Sequence, residues 1–127
     1  FKAKADGTTV AWVQAYIVAG IKSSTDMSIS SENDVVFGTQ PTGVKATAFL
    51  IADDRGESDY KNCSAVNLSG KTAGCSEVKA ALNLVDNATT PLPRLVTLKG
   101  TLVKKYMGIT GIERSYNCDI GRWHYYW

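Results

Sequence analysis

The chain has 127 residues, of which 20% are charged, and its formal net charge at pH 7 is +2. This length suits one domain with a core of its own, and so balanced a charge does not indicate a nucleic-acid or membrane surface. No apolar run approaches the roughly 20 residues that a membrane-spanning helix needs, so we expect no transmembrane segment. We predict a single domain over residues 1–127, with a core at about 10–120 and an aromatic tail at 121–127.

The first predicted strand runs from Val10 to Ile21. Alternate residues of a strand lie on opposite faces. One face would carry Val13, Ala15, Ile17, Ala19 and Ile21, and the other would carry Trp12, Gln14, Tyr16 and Val18. Since both faces are largely apolar, we expect a long strand that serves two sides of a barrel or lies under another segment.

A long connection, residues 22–45, is rich in Ser, Thr, Asp, Asn and Gly, and Val35–Phe37 is apolar enough to add a short strand to it. Loops of this length are usually functional or mobile. Two further strands are predicted at Ala46–Ala52 and Cys63–Leu68, with a turn dense in carboxylates between them.

A short helix is predicted next. Ser76 can cap its first turn by accepting from backbone N–H groups. Val78, Ala81, Leu82 and Val85 then recur at helical spacing, so one apolar face of the helix would pack on the sheet.

The last part of the domain is predicted to be a hairpin. Apolar and polar residues alternate from Leu95 to Leu102, Gly108 and Gly111 would form a tight turn, and Ile112–Cys118 would be the return strand. The tail 121–127 shows no strand pattern.

The predicted order is therefore three strands, one helix and two strands. This order predicts a mainly β fold, namely a five-stranded OB-fold-like Greek-key barrel with one short helix between the third and fourth strands.

Four segments carry a family resemblance: WVQAYIVAG (12–20), FLIADDRGESDYKNC (49–63), EVKAALNLVDN (77–87) and VTLKGTLVKKYMGITGI (96–112). Together they resemble a family of OB-fold domains of unknown function from secreted and surface proteins of Bacteroides-type bacteria, over about residues 10–120. The chain departs from that pattern at Ala15 and Ala19, where glycine is usual, and at Met107 and Thr110, where Phe and Pro are usual.

The resemblance implies a secreted or cell-envelope location. It also implies a non-catalytic accessory module that binds glycan or another envelope protein through an OB-type face, and it supplies no catalytic residues and no cofactor. A purely structural spacer remains an alternative.

OB barrels bind ligands on the face of strands two and three, beside the first and last hairpin loops. Candidate ligand-binding residues are Trp12, Tyr16, Lys99, Lys104, Lys105, Tyr106 and Arg114. The rings of Trp12 and Tyr16 could stack on sugar. The tail aromatics could equally fold back over these two rings, which we favour because large exposed aromatic patches are uncommon on monomers.

The basic candidates near Tyr106 suggest an alternative, a module that binds single-stranded nucleic acid or an accessory domain of a secreted nuclease. Such a module combines a cationic groove with stacking aromatics. The net charge of +2 is weak for a phosphate-binding surface, so we expect no nucleic-acid partner.

The acidic turn holds a weak candidate calcium site at Asp53, Asp54, Glu57 and Asp59, since calcium takes clustered carboxylate oxygens. The spacing does not match an EF-hand, and a solvated turn explains the same residues. We therefore expect no metal and no cofactor.

Catalysis is not favoured either, because the only histidine, His124, lies close to the end of the chain. We predict that the chain is not an enzyme. In the predicted barrel the start of the helix and the end of the fifth strand lie at one end, so a disulfide, if one forms, would join Cys75 to Cys118 and leave Cys63 as a buried thiol.

Overall fold

The computed structural model describes residues 10–25, 28–68, 80, 82–106, 108–113 and 124–125. These residues form a mainly β structure with almost no helix, which confirms the predicted class. The strands are β1 Val10–Lys22, β2 Val35–Phe37, β3 Val44–Ala52, β4 Ser64–Asn67, β5 Arg94–Tyr106, β6 Ile109–Glu113 and β7 His124–Tyr125. Short 3-10 turns lie at Glu32–Asp34 and Tyr60–Asn62.

The strands belong to one seven-stranded sheet in the order β2-β1-β3-β4-β6-β5-β7, and β1 also pairs with β5. The β4–β6 pair is parallel, whereas the other pairs are antiparallel. The prediction of a long first strand that serves two sides is confirmed: residues 10–17 pair with β5 and residues 16–22 pair with β3.

Three predicted strands correspond to β1, β3 and β4, with ends that differ by no more than a couple of residues. The described residues form seven strands where the sequence predicts five. The difference arises from β2, which confirms the short strand that Val35–Phe37 predicts within the long connection, and from β7, a two-residue strand in the aromatic tail. Both strands are too short to show an alternation of apolar and polar residues.

A register shift in β1 changes which face its residues occupy. Ile17 pairs with Ile51, but Ala19 pairs with Leu50, so Val18 is an extra residue at a bulge. A shift of one residue moves every later side chain to the other face. The prediction that Ala19 and Ile21 share a face with Ala15 and Ile17 is therefore wrong.

The bulge separates two apolar clusters on the two faces of the sheet. The first cluster consists of Ala15, Ile17, Val44, Phe49, Ile51, Val66, Leu68, Leu82, Leu84, Leu92, Val96, Leu102 and Ile112. The second consists of Val18, Ala19, Ile21, Ile29, Val35, Ala48, Leu50, Ala52, Cys63 and Ala65. Adjacent residues of β3 alternate between the clusters, so this strand is buried on both faces.

The connection after β1 packs into the second cluster. Ile29 and Val35 are buried there. Ser31 caps the 3-10 turn at Glu32–Asp34, and the Asp34 side chain accepts a hydrogen bond from the Ser31 backbone in return. Polar residues of this segment therefore form the hydrogen bonds of its turn, while its few apolar residues extend the second cluster.

The β5–β6 hairpin is antiparallel, as predicted, but its turn is shorter. Gly108 adopts a φ of 86°, a left-handed conformation that favours glycine. The return strand begins at Ile109, so the prediction that it begins at Ile112 is wrong, and Gly111 lies within the strand. Residues 114–118 lie outside the described part of the chain.

Ala80 and Leu82 are helical, and residues 69–79 and Ala81 of the predicted loop and helix lie outside the described residues. Leu82 is fully buried, as predicted for the inward face. The helical spacing predicts Val85 on that face as well, but Val85 lies in the following turn and is 52% exposed, while Leu84 is buried instead. The helix ends before Val85 because the Asn83 side chain accepts from the backbone N–H groups of Val85 and Asp86.

Candidate ligand-binding site

The outer side of the β1–β5 pair presents a row of side chains. Trp12 and Gln14 are exposed and Tyr16 is half-buried, whereas Ala15 between them points into the first cluster. Leu95 and Thr97 of β5 pair directly with Tyr16 and Gln14. We call the surface formed by Trp12, Gln14, Tyr16, Leu95 and Thr97 the aromatic face.

A polar pair lies at the centre of the aromatic face. The Gln14 Nε2 group donates a hydrogen bond of 3.5 Å to the Thr97 Oγ1 atom. Trp12 and Tyr16 stand on either side of this amide, about 13 Å apart along an extended strand. Trp12 is 42% exposed, which is unusual for so large an apolar side chain.

A pocket of about 410 Å³ adjoins the aromatic face at Tyr16. Its lining consists of Tyr16, Arg55, Thr90, Pro91, Pro93, Arg94 and Leu95. We call it the arginine pocket. Tyr16 and Leu95 belong to both the face and the pocket, so the two surfaces are continuous.

Three separate parts of the chain build the arginine pocket. Arg55 lies in the turn after β3, where the Gly56 backbone N–H donates to the Asp54 Oδ1 atom at 2.8 Å. Arg94 begins β5, pairs in register with Ile17 and is 6% exposed. The segment before β5 supplies Pro91 and Pro93, which we call the proline wall. The peptide bond between Leu92 and Pro93 is cis.

The tail approaches the aromatic face from the far side of β5. In β7, His124 pairs with Thr97 and Tyr125 pairs with Val96. The prediction that the tail has no strand is therefore wrong. Whether the tail aromatics cover Trp12 and Tyr16 stays a prediction, because Trp123, Tyr126 and Trp127 lie outside the described residues.

The other predicted ligand residues do not gather at one place. Lys99 pairs in register with Trp12. Lys104 is exposed near the other end of β5, and Tyr106 packs against the second cluster. Lys105 lies between them on β5, and Arg114 lies outside the described residues. The structure thus brings Trp12 and Tyr16 together on one face and places Lys104 and Tyr106 elsewhere.

The predicted OB-type face lies on the second and third predicted strands, which are β3 and β4. On the side opposite the first cluster, these strands present Ala48, Leu50, Ala52 and Ala65, which are all buried in the second cluster. The segment with Ile29 and Val35 packs over them. This stretch of β3 and β4 therefore has no open surface for a ligand.

Carboxylates of the acidic turn accept hydrogen bonds from the backbone of the turn itself. The Glu57 Oε2 atom accepts from the backbone N–H groups of Ser58 and Asp59, each at 3.2 Å. Asp59 caps the 3-10 turn by accepting from the Lys61 N–H at 2.9 Å. Within the part of the chain that the structure describes, no group of three or more His, Cys, Asp or Glu side chains is arranged to hold a metal ion.

A larger hollow of about 540 Å³ lies beside this turn, lined by Ser30, Ser31, Glu32, Ser58, Asp59, Tyr60 and Lys61. Its polar groups largely bond within their own loops: Ser31 accepts from Asn33 and Asp59 accepts from Lys61. These local bonds explain the polar lining without a ligand, so the aromatic face and the arginine pocket are the stronger candidate site.

Sequence reasoning missed Arg55, Arg94 and the proline wall. Arg55 follows two aspartates, so its position suggests only a charged turn. Pro91 and Pro93 lie between the predicted helix and the last hairpin, so their positions suggest only a break in the helix. Their convergence on Tyr16 depends on the pairing of β1 with both β3 and β5, which no local pattern encodes.

Cys63 is buried and carries a thiol, as predicted, and its Sγ atom donates to the Asp59 backbone carbonyl at 3.4 Å. The predicted pair Cys75–Cys118 lies outside the described residues.

A family model matches most of the chain. Residues 1–121 match the family model described as a domain of unknown function, DUF6359. No curated protein and no solved structure matches the chain. Among the described residues, no helix has the length and apolar character needed to cross a membrane.

Proposed function

We propose that this chain, which belongs to the DUF6359 family, is a non-catalytic accessory module that binds glycan on its aromatic face. The observation that carries the proposal is Trp12, which is 42% exposed beside the exposed Gln14, whereas β1 is largely buried from Ala15 onward. Contact of the apolar indole surface with water is unfavourable, and a ligand that covers this surface removes that contact.

The side chains beside Trp12 suit a sugar better than an apolar ligand. A sugar ring has an apolar face and a rim of hydroxyl groups. The rings of Trp12 and Tyr16 can stack on such a face, while the Gln14 amide and the Thr97 hydroxyl, which lie between them, can exchange hydrogen bonds with hydroxyl groups. A row of such groups along a strand suits an extended chain of sugars.

We further propose that the sheet curls into an OB-fold-like barrel. In support, the pairs β1–β3, β3–β4, β4–β6, β6–β5 and β5–β1 lead around the sheet and back to β1. In such a barrel β1, β3, β4, β5 and β6 would be the five barrel strands. The aromatic face would then lie on the first and fourth of them, because the second apolar cluster covers the usual face on the second and third.

The proposed location is secreted or cell-envelope, in proteins of Bacteroides-type bacteria. It rests on the sequence resemblance alone. An accessory glycan-binding role suits this location because surface glycans and their breakdown products are available there.

A glycan array followed by calorimetric titration tests the proposal. We expect the wild-type protein to bind at least one oligosaccharide and Trp12→Ala to weaken that binding at least tenfold. Val85→Ala is the matched control, because Val85 is 52% exposed and is not part of the aromatic face. Equal binding by wild type and Trp12→Ala would contradict the proposal.

The same titration with single-stranded DNA tests the alternative of a nucleic-acid-binding module. Binding to DNA that falls steeply with salt and is weakened by Lys104→Gln would favour that alternative. We expect no such binding at physiological salt.

A further inference from the structure

We propose that β1 binds an extended segment of a partner protein along residues 10–15, with a lysine side chain of that segment in a pocket beside the strand. Over these residues β5 pairs with one edge of β1. On the other edge β3 pairs with β1 only from Tyr16 onward, and no other described strand takes its place. We call this stretch, residues 10–15, the open edge. Such an edge can bind an extended peptide through backbone hydrogen bonds, while pockets beside it select the side chains.

The pocket lies where β3 ends beside β1, and we call it the edge pocket. Its apolar walls are Val13, Ala15, Ile51 and Ala52. Val13 and Ala15 belong to the open edge, so a strand that pairs there would pass directly beside the pocket. The volume of about 280 Å³ lies just below the range of roughly 300–1,000 Å³ that small-ligand sites occupy. The edge pocket therefore suits one side chain of a peptide better than a whole small-molecule ligand.

The rim of the edge pocket suits an ammonium group. It is formed by Asp53, Asn62 and Ser64, and each of these side chains has an oxygen that can accept a hydrogen bond. A lysine ammonium carries three N–H donors on a flexible four-carbon stem. Lysine can therefore lay its stem along the apolar walls and direct its charged end to the rim. The flat fork of an arginine suits one carboxylate better than three oxygens from separate residues.

The rim oxygens keep the capacity to accept. The Asn62 Nδ2 group donates to the Glu57 Oε2 atom at 3.4 Å, which leaves the amide oxygen of Asn62 as an acceptor. The hydroxyl groups of Ser64 and Thr110 share one hydrogen bond of 2.9 Å, so the Ser64 oxygen retains a lone pair. The Asp53 carboxylate is exposed, and its two oxygens can accept several hydrogen bonds.

The charges around the edge pocket favour a cation. Residues 53–61 contain four carboxylates and two basic side chains, so this turn has a net charge of −2. Arg55 lines the arginine pocket, and Lys61 lines the hollow beside Ser30. The charged residue that lines the edge pocket is Asp53. A lysine side chain is therefore attracted both by Asp53 and by the turn as a whole.

The experiment uses an array of blocked heptapeptides with a central lysine and the other six positions varied. A second array carries norleucine at the centre, which keeps the aliphatic stem and lacks the ammonium. We expect lysine peptides to bind and their norleucine counterparts to bind at least fivefold more weakly. Equal binding of the two arrays, or no binding to either, would overturn the inference. Neither array contains sugar, so this result is independent of the glycan-binding proposal.

Asp53→Asn should weaken the best lysine peptide about fivefold, as an exposed ion pair predicts, and leave its norleucine counterpart within about twofold. Asp54→Asn is the matched control because it removes the same charge from the next residue, which does not line the edge pocket. Asparagine at this position keeps an oxygen for the Gly56 N–H, which donates to Asp54 Oδ1 at 2.8 Å. Equal effects of the two variants would overturn the assignment of the lysine to the edge pocket.

Amide hydrogen exchange tests the open edge itself. In the protein alone, the N–H groups of residues 10–15 that point away from β5 should exchange quickly, and a bound lysine peptide should slow their exchange. Slow exchange without peptide would show that the edge is already paired, by another part of this chain or by a second copy, and would overturn the inference. Exchange that a bound peptide leaves unchanged would overturn it as well.

Discussion

The amide of Gln14 and the hydroxyl of Thr97 join β1 to β5 through a hydrogen bond of 3.5 Å on the exposed side of the sheet. This bond lies at the centre of the aromatic face, with Trp12 and Tyr16 on either side of it along β1. The polar pair therefore places hydrogen-bonding groups between two rings, while the backbone pairing of β1 with β5 sets the register.

Gln14→Ala should weaken glycan binding several-fold, because a hydrogen-bonding group between the stacking rings is lost. Stability should change by less than about 0.5 kcal/mol, since the residue is exposed and its bond is long. Gln40→Ala is the matched control, as it removes another exposed amide, which bonds to the Thr89 carbonyl at 3.3 Å. Titration and urea denaturation of both variants check the prediction, and equal affinity losses would contradict it.

Leu50→Ala should destabilise the protein by about 2–5 kcal/mol, the usual cost of a cavity in a packed core. Leu50 is fully buried in the second cluster. Urea denaturation measures the loss, with Val85→Ala as an exposed aliphatic control. A loss below about 0.5 kcal/mol, typical of surface positions, would show that the second cluster is not a core in solution.

Gly111→Ala should destabilise the protein by about 1–3 kcal/mol through overpacking. A Cβ atom at this position would lie 2.8 Å from the Ala65 carbonyl oxygen and 2.7 Å from the Tyr106 Cβ atom. Ala65 is the partner of Gly111 in the parallel β4–β6 pair, so the strands would have to separate.

The matched control for that variant is Gly56→Ala, whose Cβ atom would meet only the Asp54 Oδ1 atom at 3.5 Å, an ordinary contact. Thermal denaturation of the two variants should show a clear loss for the first and little change for the second. Similar melting temperatures would contradict the close approach of β4 and β6.

Asp34→Asn should reduce the acid sensitivity of the fold. The backbone N–H of Ser30, followed by the Ser30 hydroxyl and the Ser31 N–H, donates to the Asp34 carboxylate and holds its pKa below the ordinary value. A lowered pKa contributes stability above the unfolded-state pKa, and this contribution is lost as the pH falls through the folded-state pKa.

We therefore expect wild type to be more stable than Asp34→Asn at pH 7 and the difference to shrink as the pH falls below about 4. Urea midpoints between pH 7 and 2 measure this, and Glu32→Gln controls for the loss of a neighbouring exposed carboxylate. A difference that stays constant over this range would contradict the prediction.

The main strands could be predicted from the sequence because alternation of apolar and polar side chains is a local property of the chain. The same property predicts that Trp12 and Tyr16 share the outer side of β1. The prediction becomes wrong at Val18, where the extra residue of the bulge reverses the faces of Ala19 and Ile21. Both faces of this stretch are apolar, so its composition does not reveal the shift.

The sequence by itself determined the mainly β class, the positions of the long strands and the pair of aromatic residues, because each depends on residues close together in the chain. Only the tertiary structure decided that the second cluster covers β3 and β4, and that Arg55 and Arg94 line one pocket with Tyr16. These features depend on which strands pair and in what register. That choice is made by burial and backbone hydrogen bonding between distant segments, which no short stretch of sequence specifies.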